Sequence, residues 1–229
     1  MIIGSGMLAR AFESYRDHSS IVILASGVSD STVTDVAQFE REQDLLVNTL
    51  DEQCKKQFVY FSTCSIMDPE LSESPYINHK LKMEGLIQAY SSSYLVFRLP
   101  QVVGHGGNKN TLTNRLYTSI RHDERFQLWR NADRYIIDVD DVLAIASYMI
   151  DRDEYLNRII NVASYRFSIF DIARALENVT QRSAIYTELD KGASYNIDCC
   201  ESHKVARLLN IQFDETYLQR VIRKYYAER

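Results

Sequence analysis

The sequence predicts an α/β fold with a largely parallel sheet, and three observations predict it. Apolar runs of strand length, rich in branched and aromatic residues, recur at residues 21–25, 58–61, 94–97 and 159–162, the pattern of strands covered on both faces. Segments long enough for helices separate them, an alternation that argues for parallel strands joined by right-handed crossovers. The early runs also stop at small or polar residues, and in open sheets of this kind ligands sit outside the carboxyl ends of the strands.

Met1-Ile2-Ile3 is a stub of strand, and Gly4-Ser5-Gly6-Met7-Leu8-Ala9 turns it into a helix running to about Tyr15. Glycines at such a corner let a phosphate approach the backbone, and Ala9, the third small position, accepts close helix packing. Residues 21–25 form the next strand, from which Ser29, Asp30, Ser31 and Thr32 lead into a helix over about 35–55. Residues 58–61 run as strand into Ser62-Thr63-Cys64-Ser65, a helix begins near Tyr76, and residues 94–97 are the strand after it. Further on, residues 111–121 read as helix and Asp140-Asp141 as the cap of a helix reaching Ile150. Ser168 reads as the cap of a helix carrying Ile169, Ile172 and Leu176, and Asp214 as the cap of a last helix ending near Tyr226. The expectation is a single domain, 1–229, with a core of about 1–105 and 139–165 and a small mixed lobe of about 106–138 and 166–229.

With only 8 Gly and 3 Pro, no low-complexity linker marks a boundary. A formal charge of −5 supplies no basic field for nucleic acid or anionic lipid. The longest apolar stretches are too short to span a bilayer and no charged-then-apolar leader opens the chain, so the expected protein is cytoplasmic, with no nucleic-acid and no membrane partner. Cys54, Cys64, Cys199 and Cys200 lack paired Cys-x-x-Cys spacing and the His residues are scattered, which argues for reduced thiols and no metal site.

The chemistry-bearing pattern is Tyr76-x-x-x-Lys80. On a shared helix that spacing sets a phenol and an ammonium on one face, one turn apart. With 15 Tyr and 8 Lys in 229 residues, about half such a match arises by accident, so context has to carry the argument. Context here is the buried strand that ends at Thr63, thirteen residues earlier. A Tyr with pKa near ~10 is a poor base, and a cation within reach lowers it by about 1 to 3 units, towards working pH.

Further motifs fall in register with this pair: Gly4-x-Gly6-x-x-Ala9, Phe58-Val59-Tyr60-Phe61-Ser62-Thr63-Cys64-Ser65-Ile66, Arg98-Leu99-Pro100-Gln101-Val102-Val103-Gly104, Arg134-Tyr135-Ile136-Ile137-Asp138-Val139-Asp140-Asp141 and Asn161-Val162-Ala163-Ser164. Together they resemble the extended short-chain dehydrogenase/reductase group, the NAD-dependent epimerase/dehydratase family, over nearly the whole chain. The resemblance implies a Rossmann-like doubly wound parallel sheet, a small C-terminal substrate lobe, NAD or NADP as cofactor and a nucleotide-linked sugar as substrate. It makes Tyr76 the acid/base group, Lys80 its activator and Thr63 the hydroxyl that bonds the reacting oxygen, a role open also to Ser62 or Ser65. It sets Gly4, Gly6, Met7, Ala25, Ser26, Gly27, Pro100 and Val103 against the cofactor, and Ser65, Asn108, Asn110 and Arg134 against the substrate. Plainer roles stay open: Thr63 satisfying nearby backbone, Asn108 and Asn110 forming turns, Arg134 in a surface ion pair, and Arg10 solvated rather than on a phosphate. A homodimer through helices like the one carrying Tyr76 is a further implication.

The sequence departs from the family upstream of Tyr76. Members normally spend two further strands and a helix between the glycine corner and the strand ending in a pair of small residues, and an acidic residue after the second strand holds the adenosine ribose. Only 16 residues lie here between Ala9 and the Ser26-Gly27 pair, and no acid ends the strand at 21–25. Either that strand is the family's later one and the adenosine-binding strands are deleted, the preferred reading, or it is the ordinary second strand with Asp30 as a displaced ribose ligand. A trimmed NAD(P)-dependent oxidoreductase or epimerase is the expected function. Dehydratase chemistry is disfavoured, since Cys64-Ser65 stands where an acidic pair is needed. The alternatives are a non-catalytic nucleotide-sugar-binding or scaffold protein and a non-redox sugar isomerase.

Overall fold

The computed structural model describes residues 1–227. Its first half alternates β1 (Ile2–Ile3), α1 (Met7–Ala11), β2 (Ile21–Leu24), α2 (Val36–Glu52), β3 (Gln57–Thr63), α3 (Pro75–Tyr90) and β4 (Tyr94–Leu99). Then come β5 (Gln101–Val103), α4 (Leu112–Arg121), β6 (Phe126–Trp129), β7 (Asp133–Asp138), α5 (Val139–Ile150), β8 (Arg158–Asn161) and β9 (Arg166–Ser168). The chain closes with α6 (Ile169–Thr180), β10 (Tyr186–Leu189), α7 (Cys200–Leu208) and α8 (Tyr217–Tyr226).

The main sheet has five parallel strands in the order β1-β2-β3-β4-β8. Helices cover both faces, so β2 is buried at all four residues, as its unbroken apolar run requires. Ile21, Ile23, Val59, Phe61, Leu95 and Phe97 pack with Ala9 and Phe12 of α1 and Val142, Ile145 and Met149 of α5. Their neighbours Val22, Leu24, Phe58, Tyr60 and Val96 face Leu46 and Leu50 of α2 and Met83 and Ile87 of α3 on the other side.

This order decides between the two readings of residues 21–25. β2 lies between β1 and β3, on the side of β1 that the family's later strands occupy, and β1 is the edge. Residues 4–20 lead from β1 straight to its neighbour, leaving no room for intervening strands.

The route has a cost in handedness. From β1 to β2 the chain steps across the sheet in the same direction as from β2 to β3 and from β3 to β4, yet α1 lies on the face opposite α2 and α3. The first connection therefore has the opposite hand to the next two. With the nearly universal right-handed crossover at α2 and α3, β1–α1–β2 is left-handed, contrary to the expectation of right-handed crossovers throughout. A full doubly wound sheet would send the chain outward from α1 and return it over the other face. Here the detour is gone and α1 has kept its face.

Local signals set the helix ends. The Asp35 side chain accepts from Ala37 N–H, Ser74 Oγ from Ile77 N–H and Ser168 Oγ from Asp171 N–H, each satisfying a donor the helix leaves free. Two expectations are corrected. The first helix stops at Ala11 and continues only as a 3₁₀ turn over Glu13–Tyr15, and α5 is capped by Asp138, whose carboxylate accepts from Asp140 N–H. At the C-terminal end Thr216 stands at the start of α8, with Asp214 accepting from its N–H and hydroxyl.

The additions pack around a second core in which α4, α6 and α8 meet through Leu116, Ile120, Ile172, Leu176, Val221 and Ile222. They carry a three-stranded sheet, β5-β7-β9, and a two-stranded one, β10-β6. α7 returns to the main sheet, where Val205 and Ala206 join the α5 side of the core.

Candidate active site

The carboxyl ends of β2, β3 and β4 open into a cavity of about 460 Å³. Its floor is made by the end of β3 and the start of α3. Thr63 ends the strand, Ser74 and Pro75 start the helix immediately beside it, and helical spacing turns both Tyr76 and Lys80 inward, 5% and 2% exposed. The Thr63 hydroxyl lines the cavity with Tyr76 and accepts from Ser65 N–H at 3.1 Å. The Lys80 ammonium lies 5.9 Å from the centre of the Tyr76 ring.

Beneath this floor sits a carboxylate the sequence reading missed. Glu42 of α2 is fully buried and accepts four hydrogen bonds: from Val28 N–H at 2.7 Å, Tyr60 hydroxyl at 2.5 Å, Lys80 Nζ at 2.8 Å and, by its tautomer, His79 Nε2 at 3.0 Å. Burial alone would raise its pKa, but the His79, Lys80 and Tyr60 bonds and the Lys80 charge outweigh that and hold it at about 2. Lys80 Nζ also donates to Tyr60 Oη at 3.0 Å. Glu42 shares the inward stripe of α2 with Leu46, Thr49 and Leu50. An acid on the apolar face of an amphipathic helix was the available signal, since carboxylates stay buried only when partnered.

In the free protein the surroundings of Tyr76 do not favour its ionised form. Burial pushes Tyr76 up to about 12; the neighbouring Thr63 hydroxyl opposes that and the nearby Glu42 carboxylate adds to it. Glu42 offsets the charge on Lys80, so in the free protein the ammonium does not bring Tyr76 towards neutrality. Lys80 itself is lowered by burial, with Glu42 acting in the other direction.

Around the cavity the structure brings together Gly6, Met7, Ala25, Gly27, Thr63, Ser65, Tyr76, Lys80, Pro100 and Asn108. Gly27 is required where it stands, since a Cβ would lie 2.6 Å from a Glu42 oxygen and 2.8 Å from Lys80 Nζ. Gly4 plays a structural part: its φ is +133° and a Cβ would meet the Ala25 carbonyl oxygen at 2.4 Å. Ser26 is bonded to Arg41, and Val103 is buried in the second core. Ser62 also lines the cavity, but its hydroxyl donates to the buried Glu84 at 2.6 Å, which Arg98 clamps from the other side.

Two loops meet at the cavity. Asn108 donates to Ser29 Oγ and Asn110 to Asp30 Oδ2, both at 3.2 Å, tying the segment after β2 to the segment after β5. Arg134 stands apart, 3.8 Å from the buried Asp68 and bonded to the Asp133 carbonyl. Arg10 is exposed; it donates to the carbonyls of Ser5, His105 and Gly106 and stitches the glycine corner to the 105–106 loop.

Residues 4–163 match the sequence pattern of the NAD dependent epimerase/dehydratase family. The chain belongs to that family. No curated protein matches it by sequence. Among solved structures, UDP-glucuronic acid 4-epimerase from Bacillus cereus, in complex with UDP-glucuronic acid and NAD, is similar at a TM-score of 0.73 and 19% identity, over 94% of this chain and 76% of that one. RMD from Pseudomonas aeruginosa, complexed with NADPH, is similar at 0.74 and 15%, over 98% and 97%. UDP-N-acetylglucosamine 4-epimerase from Methanobrevibacter ruminantium M1, in complex with UDP-N-acetylmuramic acid, is similar at 0.71 and 14%, over 94% and 78%. At these identities the likeness is one of fold.

The name of the epimerase/dehydratase family implies a nicotinamide cofactor, and the cavity residues fit its reactive end. No atom lies within 4 Å of the position a Cβ would take on Gly6, so the backbone there is open to a ligand. Lys80 uses two of its three protons inside the protein, leaving one for a ribose hydroxyl. Among the described residues no helix is long and apolar enough to cross a membrane, and no cluster of three or more His, Cys, Asp or Glu is placed to hold a metal ion.

Proposed function

We propose that this chain is an NAD(P)-dependent oxidoreductase or epimerase of a nucleotide-linked sugar, with proton handling by Tyr76, Thr63 and Lys80. The observation that carries the reading is the single cavity onto which Gly6, Ala25 and Gly27 of the glycine-bearing strand ends and Thr63, Tyr76 and Lys80 all open. When bound there, the nicotinamide exchanges a hydride with a sugar carbon.

The protein's part is to hold and move the hydroxyl proton. Thr63 and Tyr76 open side by side onto the cavity, so both hydroxyls can meet the sugar oxygen there. Lys80, held on Glu42 and Tyr60, presents its remaining proton to the cofactor ribose and so orients the ring against the sugar. Ser65 and Asn108 line the rim where the sugar would lie. Reduction and epimerisation share this step, and the nucleotide-sugar complexes of the structural relatives favour such a substrate.

The test has two parts. Fluorescence titration or thermal shift reports binding of a reduced nicotinamide cofactor, and Tyr76→Phe abolishes turnover while leaving cofactor affinity within about twofold. If no reduced nicotinamide, short or long, binds at millimolar concentration, the redox reading falls and a non-catalytic nucleotide-sugar binder or a non-redox isomerase takes its place. The non-catalytic reading draws on the offset charge of Lys80 and a Tyr76 held at about 12.

A further inference from the structure

We infer that the cavity takes one mononucleotide, the nicotinamide ribose-phosphate half of the cofactor, and that the adenosine half of a dinucleotide adds little to its affinity. The inference rests on the redox reading above and deepens it. Its grounds are the sheet order, the route of residues 4–20 and the state of Asp30.

A doubly wound sheet binds a dinucleotide because it is built from two mononucleotide-binding halves, and the ligand crosses the crevice where the strand order reverses. The order β1-β2-β3-β4-β8 never reverses, so among the described residues the strands of a second mononucleotide-binding half, beyond β1, are absent. Among the described residues β1 is bonded to β2 alone, and the chain passes from β1 to β2 with no strand between them in sequence. This is an internal property of residues 4–20, whatever the extent of the chain on either side.

The side chain that would have to replace the missing ribose ligand is already engaged. β2 ends without an acid, and the first one after it, Asp30, accepts from Thr32 N–H at 2.9 Å, Thr32 Oγ1 at 2.6 Å and Asn110 Nδ2 at 3.2 Å. Its carboxylate thus serves the loop tie between residues 29–30 and 108–110. What remains lies between Gly6 and Lys80: an open glycine, one free ammonium proton and the Thr63–Tyr76 pair. At about 460 Å³ the space sits in the lower half of the range of about 300–1,000 Å³ usual for small-molecule pockets.

Three probes separate the outcomes on the whole protein: NADH, reduced nicotinamide mononucleotide (NMNH) and ADP-ribose, each measured by fluorescence or competition titration. The expected result is NMNH binding at least a third as tightly as NADH, with ADP-ribose failing to displace either. Gly6→Leu, which fills the open position, is expected to weaken NMNH and NADH by the same factor. NADH binding more than tenfold tighter than NMNH would overturn the inference while leaving the redox reading intact, as would displacement by ADP-ribose. NMNH binding untouched by Gly6→Leu places it elsewhere and also overturns it. Failure of both reduced compounds to bind removes the redox reading, and this inference with it.

Discussion

Neutralising Glu42 by Glu42→Gln removes the only negative charge bonded to the Lys80 ammonium while preserving the shape of the side chain. The native pKa of Glu42 is about 2 against an ordinary 4.5, which at about 1.4 kcal/mol per pH unit corresponds to about 3 kcal/mol of preference for the ionised form. Breaking a buried ion pair from one side costs about 3–5 kcal/mol, because the other charge is left buried and unpaired. Urea denaturation at pH 7 is therefore expected to show Glu42→Gln less stable by about 3–4 kcal/mol. Because the folded pKa is depressed, this stability is fully present above about 4.5 and is lost as pH falls towards 2, so the gap between the two proteins should close across that window. Adding Lys80→Met removes the stranded charge and should recover most of the loss. A single-variant loss below about 1 kcal/mol, or a double variant no more stable than the single one, would refute the account of Glu42 as the counterion that lets Lys80 be buried.

Three further outcomes follow from the same geometry. Ultraviolet difference titration of the free protein against Tyr76→Phe should show no tyrosinate from this residue below about pH 10, since burial holds it near 12; ionisation near neutrality would show that Lys80 activates it unaided. Gly4→Ala should destabilise by about 2–4 kcal/mol in denaturant titration, because φ is +133° and the added Cβ meets backbone that cannot swing aside. Gly6→Ala, at φ −72° with open space around it, should stay within about 0.5 kcal/mol of the parent and act on ligand affinity instead.

Much of the fold was legible because its signals are local. Continuous apolar runs gave β2, β3 and β4, and Ser168 announced a helix start by capping chemistry that depends on a few adjacent residues. The loss of strands was legible as a distance, the few residues between Ala9 and Ser26. Its geometric price was not: handedness depends on which face α1 packs against, and that is decided by α5, more than a hundred residues later. The small sheets of the lobe were also hidden, since β6 pairs with β10 and β7 with β9 across long intervals that no local pattern records. At the site, Tyr76 and Lys80 were singled out by spacing and Thr63 by resemblance, but the burial that shifts Tyr76 and the carboxylate that partners Lys80, on another helix, leave no local pattern. Of the two roles the sequence left open for Arg134, the free protein shows the ion pair, 3.8 Å from Asp68.

The left-handed first connection also makes this fold open to enlargement. Residues 16–20 are all exposed, and they join α1 to β2 at the end of the sheet away from the cavity, close to the N-terminal ammonium that bonds the carbonyls of Tyr15, His18 and Ile21. A strand-helix-strand-helix segment spliced in there would leave by the face α1 already occupies, lie along the free edge of β1 and re-enter over the α2 face, restoring the common hand without disturbing a pair among β2, β3, β4 and β8. On the proposed function, the length of nucleotide such a chain grips would then be a modular quantity, set by one surface turn and separable from the proton chemistry at the carboxyl ends of the strands.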